Sequence, residues 1–230
     1  MIYKAYRTII PPLMGLVLSG CMATFEPRMT GGAMGAPRLP TARAIQAGVE
    51  VSIEEYYSSQ KSRRAFDADM GPSGVLPMLV HVENKSGQDY RLERSGIRAM
   101  WNGQPLANIH GLDAAEIGAL RNPAWNALVN TAAMGPLAIY FGVLAIAGSA
   151  SQTQKINRQI EHHFEQMELA GRVLKPNETA TGFVFFRTPG NLGNSDGLTL
   201  DITLEPELLG DHTGKSLVYR FALPALGAQP

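Results

Sequence analysis

Alternation of apolar and polar residues along short segments is the feature that most constrains the fold. This period of two is typical of β-strands with one buried face, and it recurs in six segments: 49–53, 90–93, 97–101, 183–185, 198–204 and 217–223. A seventh segment, 75–82, is a nearly continuous apolar run with Met78, Val80 and Val82 on one face. Turn-forming residues separate the segments, and Asn102-Gly103 predicts a hairpin because both residues tolerate a positive φ. The sequence therefore predicts a mainly β fold, an antiparallel immunoglobulin-like β-sandwich of about seven strands.

The alternation is interrupted between residues 112 and 171, where the pattern becomes helical. Asp113 and Glu116 have capping-box spacing, Asn122-Pro123 is a second helix start, and Pro136 is a third. We expect two to four helices here, inserted between the predicted fourth and fifth strands. An insertion of about 60 residues is far longer than a usual loop of about 4–6 residues, so we expect it to have a role of its own.

The middle of this insertion carries no charge from Asn122 to Gln154, and residues 137–147 are apolar on every side. Such a helix must be covered. Two interpretations stay open: a helix buried against its neighbours and one sheet, or a hairpin that contacts a membrane or another protein. For the second, the candidate contact surface consists of Leu137, Tyr140, Phe141 and Leu144.

Residues 151–170 form an amphipathic stretch that follows the apolar one. Its apolar face contains Ile156, Ile160, Phe164 and Met167. We expect this stretch to be a helix that covers the apolar helix on one side and ends near Gly171.

Residues 1–20 have the pattern of a bacterial signal peptide. Lys4 and Arg7 precede a short apolar stretch that is not long enough to span a bilayer, which needs about 20 apolar residues. The segment Leu18-Ser19-Gly20-Cys21 then resembles the lipobox of bacterial lipoproteins at all four positions. This resemblance implies cleavage before Cys21 and attachment of lipid to its thiol. The alternative is an ordinary signal peptide beside a chance cysteine.

Lipidation of Cys21 would anchor the protein to a membrane. In Gram-negative lipoproteins, aspartate after the cysteine implies retention in the inner membrane; Met22 stands there in this chain. The resemblance therefore implies the outer membrane, with the protein facing the periplasm. Residues 21–44 are rich in Gly, Pro, Met and Thr without a periodic pattern and are predicted to be a flexible tether, followed by a single β-sandwich domain over residues 45–230.

Composition agrees with one exported domain. The chain has 230 residues, with 20 Lys and Arg against 20 Asp and Glu, and removing residues 1–20 leaves 18 bases and 20 acids. A balance this close to neutral gives no reason to expect a nucleic-acid partner. With one cysteine no disulfide can form within the chain, so stability must come from apolar burial, for which 45% hydrophobic residues suffice.

Two segments resemble a scheme found in uncharacterised bacterial envelope lipoproteins of Gram-negative type. Residues 173–186 resemble a Pro-containing turn before a core strand, and residues 80–86 resemble an early core strand that ends in asparagine. Asn177 stands where the scheme usually has glycine, and asparagine also tolerates the left-handed region. The resemblance implies an immunoglobulin-like domain in the envelope and carries no catalytic residues.

Residues that could support chemistry are few. His162 and Glu165 can face the same way on a helix, but a zinc site needs a third ligand, from His81, His110 or His212. A metal-dependent hydrolase is therefore the alternative function. The basic run at residues 61–64 is expected to lie in a loop, as solvated surface or in contact with lipid head groups.

The function predicted from the sequence is a non-enzymatic binding, scaffold or assembly module of the cell envelope. No phosphate-binding loop, His-Glu-x-x-His or Gly-x-Ser-x-Gly motif is present. We expect partners to be the membrane through the N-terminal lipid, and an envelope protein or a second copy through the insertion. No cofactor, metal or nucleic acid is expected.

Overall fold

The computed structural model describes residues 24–31, 34–120, 138–190, 192, 197–207 and 215–224, with the backbone alone for residues 138–150. The described chain contains three helices: α1 (Ser59–Phe66), α2 (Gly111–Gly118) and α3 (Ala138–Met167). It contains ten strands: β1 (Ala42–Gln46), β2 (Val49–Glu55), β3 (Val75–Asn84), β4 (Tyr90–Trp101), β5 (Gln104–Pro105), β6 (Ala107–Ile109), β7 (Arg172–Leu174), β8 (Thr179–Arg187), β9 (Leu198–Pro206) and β10 (Leu217–Ala222).

The strands form two antiparallel sheets. Sheet A has the order β1-β2-β3-β8-β6, and sheet B has the order β10-β9-β4-β5, with β7 also pairing with β4. The long ladders join strands far apart in sequence, such as β3 with β8 and β4 with β9. The prediction of a mainly β, antiparallel two-sheet architecture with a helical insertion is confirmed.

The number of strands differs from the prediction of about seven. Residues 90–93 and 97–101, predicted as two strands, belong to the single strand β4, whose pairing with β9 shifts register between Leu92 and Ile97. Gly96 lies in this irregularity, where a Cβ atom would come within 2.8 Å of the Thr203 carbonyl oxygen. Strands β1, β5, β6 and β7 were not predicted, because two to five residues are too few to show a clear period.

Two tight hairpins each place two consecutive residues in the left-handed region. Asn102 and Gly103 have φ values of 49° and 78° and connect β4 to β5, which confirms that prediction. Ala47 and Gly48, with φ values of 46° and 81°, connect β1 to β2 in the same way. Since β1 begins at Ala42, the ordered sheet starts before the predicted domain boundary at residue 45.

Two apolar cores hold three layers together. The first core lies between the sheets and includes Val51, Ile53, Leu200, Ile202 and Tyr219. The second core lies between the outer face of sheet A and the helices, and it contains Phe66, Phe164, Met167, Phe183 and Phe185. Burial of each large apolar side chain contributes roughly 1.5–3 kcal/mol, so the helical layer is an integral part of the fold.

Helix α1 replaces the loop predicted for the basic run at residues 61–64. The hydroxyl of Ser58 accepts a hydrogen bond from the Lys61 backbone N–H at 3.4 Å, which caps the first turn. Asp67, with a φ of 50°, ends the helix in the left-handed region. Phe66 is fully buried in the second core, and this long-range contact explains a helix too short to stand alone.

The insertion lies between β6 and β7. Helix α2 begins at Gly111, three residues before the start predicted with Asp113 as the N-cap, because the N-cap is His110. The Asp113 carboxylate accepts a hydrogen bond from the His110 backbone N–H at 3.1 Å, so Asp113 occupies the third helical position. The helix predicted at Asn122-Pro123 and the start predicted at Pro136 lie outside the described residues.

Helix α3 is one continuous helix of 30 residues, Ala138–Met167. The amphipathic stretch therefore extends the apolar stretch along the same axis, and the prediction that it would cover the apolar helix on one side is wrong. The helix ends at Met167 and not near Gly171, because Glu168 and Leu169 turn into contact with Phe183 of β8. Within the described residues, no helix has both the length and the apolar character that crossing a membrane requires.

Candidate functional site

Residues 24–31 and Met34, here called the strap, lie across helices α1 and α3. The Glu26 backbone N–H donates to the Asp67 carboxylate at 3.3 Å. The Arg28 backbone N–H donates to the Arg64 carbonyl oxygen at 2.9 Å. The strap includes about half of the segment predicted to be a flexible tether, and its described residues are held to the domain by these bonds.

Apolar side chains hold the strap in place as well. Phe25, Met29 and Met34 pack against the second core. Gly31 passes so close to α3 that a Cβ atom would lie 2.6 Å from the Gln166 carbonyl oxygen, so this position requires glycine. The chain that leads away from Cys21 is therefore docked on the helical layer within a few residues of the cysteine.

The C-terminal half of α3 packs on sheet A through an aromatic cluster. Ile160, Phe164 and Met167 are fully buried, as the predicted amphipathic pattern requires. The ring of Phe164 lies 4.8 Å from that of Phe66 and 5.6 Å from that of Phe185, measured between centroids. Aromatic pairs at such distances add about 0.5–1.5 kcal/mol beyond their area, so this face of α3 is firmly attached.

His163 lies between α3, α1 and the strap. Its Nε2 atom is 2.7 Å from the Ala65 carbonyl oxygen, to which it donates as the Nε2–H tautomer, and its ring meets that of Phe25 edge-on at 5.3 Å. Burial lowers the pKa of His163 below its usual value, although the bond to Ala65 acts in the opposite direction. Neutral His163 therefore links the strap to both helices.

Acidification should destabilise this contact. Because the pKa of His163 is lower in the folded chain than the ordinary 6.5, the unfolded chain binds more protons between the two values. The contribution of the buried, neutral His163 to stability is therefore fully present above about pH 6.5, and it is lost as the pH falls below this value. We expect the Tm measured at pH 5.0 to lie below that at pH 7.5, and we expect His163→Gln to reduce this difference.

His81 needs a separate control in this experiment, because burial also lowers its pKa. The His81→Gln variant should retain the part of the pH dependence that belongs to His163. A Tm difference that is unchanged in His163→Gln and abolished in His81→Gln would contradict the assignment.

Charge is ordered along the axis of α3. The first half, residues 138–150, has no charged residue, and none occurs before Lys155. Lys155 and Arg158, both exposed, come next, followed by the acids Glu161, Glu165 and Glu168. At 1.5 Å per residue the step from Lys155 to Glu165, the last acid within the helix, covers about 15 Å, so uncharged, basic and acidic zones follow one another along one helix.

The strap begins beside the basic zone of α3. Residues 24–26 line a cavity of about 580 Å³ together with residues of α3, namely Ser151, Gln152, Lys155, Ile156 and Gln159. Cys21 is three residues before Thr24, and three residues span at most about 11 Å. The thiol predicted to carry lipid is therefore within reach of the boundary between the uncharged and the basic zones.

The described chain that precedes the uncharged segment also ends in this region. Leu120, the last described residue before it, packs against the second core, as do Ile156 and Phe25. Leu120 and Arg158 also line one groove between α2 and α3. Three parts of the chain thus meet at this level of the helical layer: the strap, the end of the α2 region and the middle of α3.

The residues predicted from the lipobox and the contact surface are placed only in part. Cys21, Leu18, Ser19 and Gly20 lie outside the described residues, as does Leu137. Tyr140, Phe141 and Leu144 belong to the first half of α3, where the backbone is helical and the side chains are outside the described part.

His162 and Glu165, the predicted metal ligands, lie on the exposed side of α3. The His162 Nε2 atom is 2.9 Å from the Gln166 side-chain nitrogen. His81 lies on sheet A with its Nδ1 atom 2.7 Å from the Thr181 hydroxyl, and His110 contacts Glu168. His212 is outside the described residues. Among those described, no group of three or more His, Cys, Asp or Glu side chains could hold a metal ion.

The end of α3 is tied to both sheets by Glu168. Its carboxylate pairs with Arg94 of β4 and accepts a hydrogen bond from the Gly111 backbone N–H at 3.0 Å, at the start of α2. A carboxylate at a helix N-terminus is favourable because of the helix dipole. The next residue, Leu169, donates its N–H to the Phe183 carbonyl oxygen at 2.8 Å. The orientation of α3 is therefore determined by the sandwich.

The sequence did not reveal a cluster of paired acids on β2. Glu50, Glu54 and Glu55 of β2 are each less than 10% exposed. Glu50 pairs with Arg43 at 2.6 Å, and this hydrogen bond lowers the pKa of the Glu50 carboxyl. Lys61 of α1 contacts both Glu54 and Glu55, at 3.3 and 3.0 Å. Each acid has a basic partner, which favours a structural role for the cluster.

Comparisons with known proteins add little. The chain matches no family model and no curated protein. Among solved structures it is similar to a presumed lipoprotein, ycdA, from Bacillus subtilis, with 13% sequence identity and a TM-score of 0.36. The match covers 78% of this chain and 38% of that chain, so the chain spans less than half the length of the matched protein. A similarity at this level assigns neither a fold family nor a function.

Proposed function

We propose that the protein is a lipid-anchored bacterial envelope protein that acts as a non-enzymatic binding or scaffold module. The observation that carries the proposal is the segment Leu18-Ser19-Gly20-Cys21, in which the one cysteine of the chain follows a signal-peptide pattern. The lipid on Cys21 holds the protein to the membrane, and the sandwich supports a contact surface in the inserted helices.

The position of the strap supports this proposal. A domain docked within a few residues of its anchor stands close to the membrane and in one orientation. Phe25 and Gly31, four and ten residues after the cysteine, hold the chain against α3. In this arrangement the helical layer is the part of the protein nearest to the lipid. Sheet A lies between the helical layer and sheet B.

A non-enzymatic role is supported by the partners of the candidate groups. Glu50, Glu54 and Glu55 are paired with Arg43 and Lys61. His163 is bonded to a backbone carbonyl. These groups stabilise the fold and leave no described constellation poised for acid–base or nucleophilic chemistry. The metal-dependent hydrolase would require a third ligand beside His162 and Glu165.

Three finer features belong to the same proposal. The sandwich is of immunoglobulin-like type and the protein resembles Gram-negative envelope lipoproteins, as the residues 173–186 suggest. The membrane is the outer membrane, because Met22 and not aspartate follows the cysteine. The protein faces the periplasm, and its partners are an envelope protein or the membrane itself.

Substitution of Cys21 tests the proposal. We expect the native protein to sediment with membranes and to yield an N-terminal peptide that begins at a diacylglycerol-modified Cys21 in mass spectrometry. Cys21→Ser should abolish the lipid and leave residues 1–20 attached. Two acyl chains suffice for stable anchoring, at about 0.8 kcal/mol per buried CH₂.

Ser19→Ala is the matched control, because it keeps a small residue in the lipobox. This variant should be cleaved and lipidated like the natural chain. An unmodified Cys21 in protein isolated from its native membrane would refute the proposed anchoring.

A further inference from the structure

The first half of α3 has a composition suited to lipid and a position beside the predicted anchor. Residues 138–150 continue the helix whose second half is packed on sheet A, and they contain no charged residue. They extend for about 20 Å at 1.5 Å per residue. One leaflet of the hydrocarbon core is about 15 Å thick, so the segment is long enough to cross a single leaflet and too short to cross the whole bilayer.

The neighbouring turns of α3 match the chemistry of the head-group layer. Lys155 and Arg158 are the first charges after the uncharged half, and both are exposed. Basic side chains at this depth pair with anionic head groups, while their aliphatic stems lie against the apolar boundary. The acids Glu161 and Glu165 follow one to two turns farther from the uncharged half.

The position of the strap favours a membrane over another protein as the partner. It places Thr24 beside Ser151 and Lys155, and Cys21 lies at most about 11 Å of chain length before Thr24. A lipid attached at Cys21 therefore holds the bilayer surface close to Lys155. The uncharged half of α3 ends at residue 150, about 8 Å along the helix from Lys155, and no charge lies between them.

We infer that residues 138–150 of α3 insert into the leaflet that carries the lipid anchor, with Lys155 and Arg158 at its head groups. This inference rests on the proposed function and specifies the partner of its contact surface as a lipid bilayer. The protein then has two attachments to one membrane, the acyl chains and the helix, which together determine its orientation.

Binding of a chain that lacks the lipid on Cys21 to vesicles measures the attachment through the helix alone. The probe is the chain produced without residues 1–20 and with Cys21→Ser, mixed with vesicles of phosphatidylethanolamine and phosphatidylglycerol. We expect it to float with these vesicles. Phe141→Asp together with Leu144→Asp should lower the bound fraction at least about tenfold, because aspartate in a bilayer is strongly disfavoured.

A matched control carries the same two charges elsewhere. Ile45 and Val218 are exposed apolar residues of β1 and β10, and Ile45→Asp with Val218→Asp should leave binding unchanged. Lys155→Gln and Arg158→Gln should each weaken binding about fivefold at low salt, and not in vesicles of phosphatidylcholine alone. Circular dichroism of every variant checks that the fold is retained.

A fluorescent label reports where the helix lies. The Cys21→Ser chain has no other cysteine, so Leu144→Cys and Val218→Cys each carry a single environment-sensitive dye. With vesicles, the dye at position 144 should shift to the blue and be quenched by brominated lipid, and the dye at 218 should not.

Two results would overturn the inference. One is a folded Cys21→Ser chain that does not float with vesicles although native Cys21 is lipidated, which would leave the anchoring proposal intact. The other is a vesicle-free dimer that Phe141→Asp and Leu144→Asp dissociate, which would identify a second copy as the partner. If instead the Cys21→Ser chain binds vesicles and native Cys21 is unmodified, the proposed anchoring fails and the helical attachment stands.

Discussion

Replacing Phe164 with alanine should lower the free energy of unfolding by about 3–5 kcal/mol. The Phe164 side chain is fully buried and contacts the rings of Phe66 and Phe185. Its removal leaves a cavity where α1, α3 and sheet A meet, and the surrounding strands are too constrained to collapse into it. Since a domain of this size changes its Tm by about 2–4 °C per kcal/mol, we expect a fall of roughly 10 °C.

Thermal and denaturant unfolding, followed by far-ultraviolet circular dichroism, measure this effect. Val218→Ala is the matched control, because Val218 is 49% exposed on β10 and its truncation should cost less than about 0.5 kcal/mol. Equal stability of Phe164→Ala and Val218→Ala would show that the helical layer is not part of the cooperative unit.

Replacing Asn84 with alanine should cost about 2–4 kcal/mol, through hydrogen bonds and not through packing. The fully buried Asn84 amide donates to the carbonyl oxygens of Gln88 and Leu174, at 2.8 and 2.9 Å. Its oxygen accepts from the Ser86 backbone N–H at 3.0 Å and from the Ser86 hydroxyl at 2.6 Å. Alanine leaves the Leu174 carbonyl group buried without this donor, so the link between the end of β3 and β7 is lost.

Asn177→Gly provides the comparison within the same turn region. Asn177 has a φ of 66°, and glycine adopts this conformation without strain, so we expect the stability to change by less than about 1 kcal/mol. The measurement is the free energy of unfolding in urea. A loss in Asn177→Gly as large as in Asn84→Ala would mean that the turn as a whole, and not the Asn84 amide, stabilises this region.

The region of Asn84 shows which features the sequence resemblance predicted and which it did not. The motif at residues 80–86 identifies a strand that ends in asparagine, and β3 does end at Asn84. Asn177, expected to tolerate the left-handed region, adopts it. The motif does not say that the Asn84 amide reaches Leu174, which is 90 residues away, because that contact depends on how β7 pairs with β4.

Of the two adjacent histidines, the sequence pattern already indicated that His163 is the buried one. The sequence predicts His162 as a metal ligand, and the structure places it on the exposed face of α3. His163 is the buried one, 7% exposed and bonded to Ala65. Since residues at i and i+3 share a helix face, the apolar Ile160 already placed His163 on the side that faces the core.

The strap carried no comparable signal. Phe25, Met29 and Met34 are spaced irregularly and separated by Pro, Gly and Thr, so no local period indicates that they pack on the domain. The paired acids of β2 are a similar case, because alternation correctly assigns Glu50 and Glu54 to the outer face of the sheet. Alternation cannot show that Arg43 and Lys61 form ion pairs with these two acids.

The sequence alone determined the strands with a clear period, the Asn102-Gly103 hairpin, the buried face of the second half of α3 and the pattern that ends at Cys21. Each of these depends on neighbours within a few residues, where side-chain period and backbone preference act directly. Only the tertiary structure decided that α1 forms, that α3 is one rod and that the strap docks beside Lys155. Those features depend on contacts between segments that are far apart in the sequence. The free energy of such contacts cannot be derived from any one short segment.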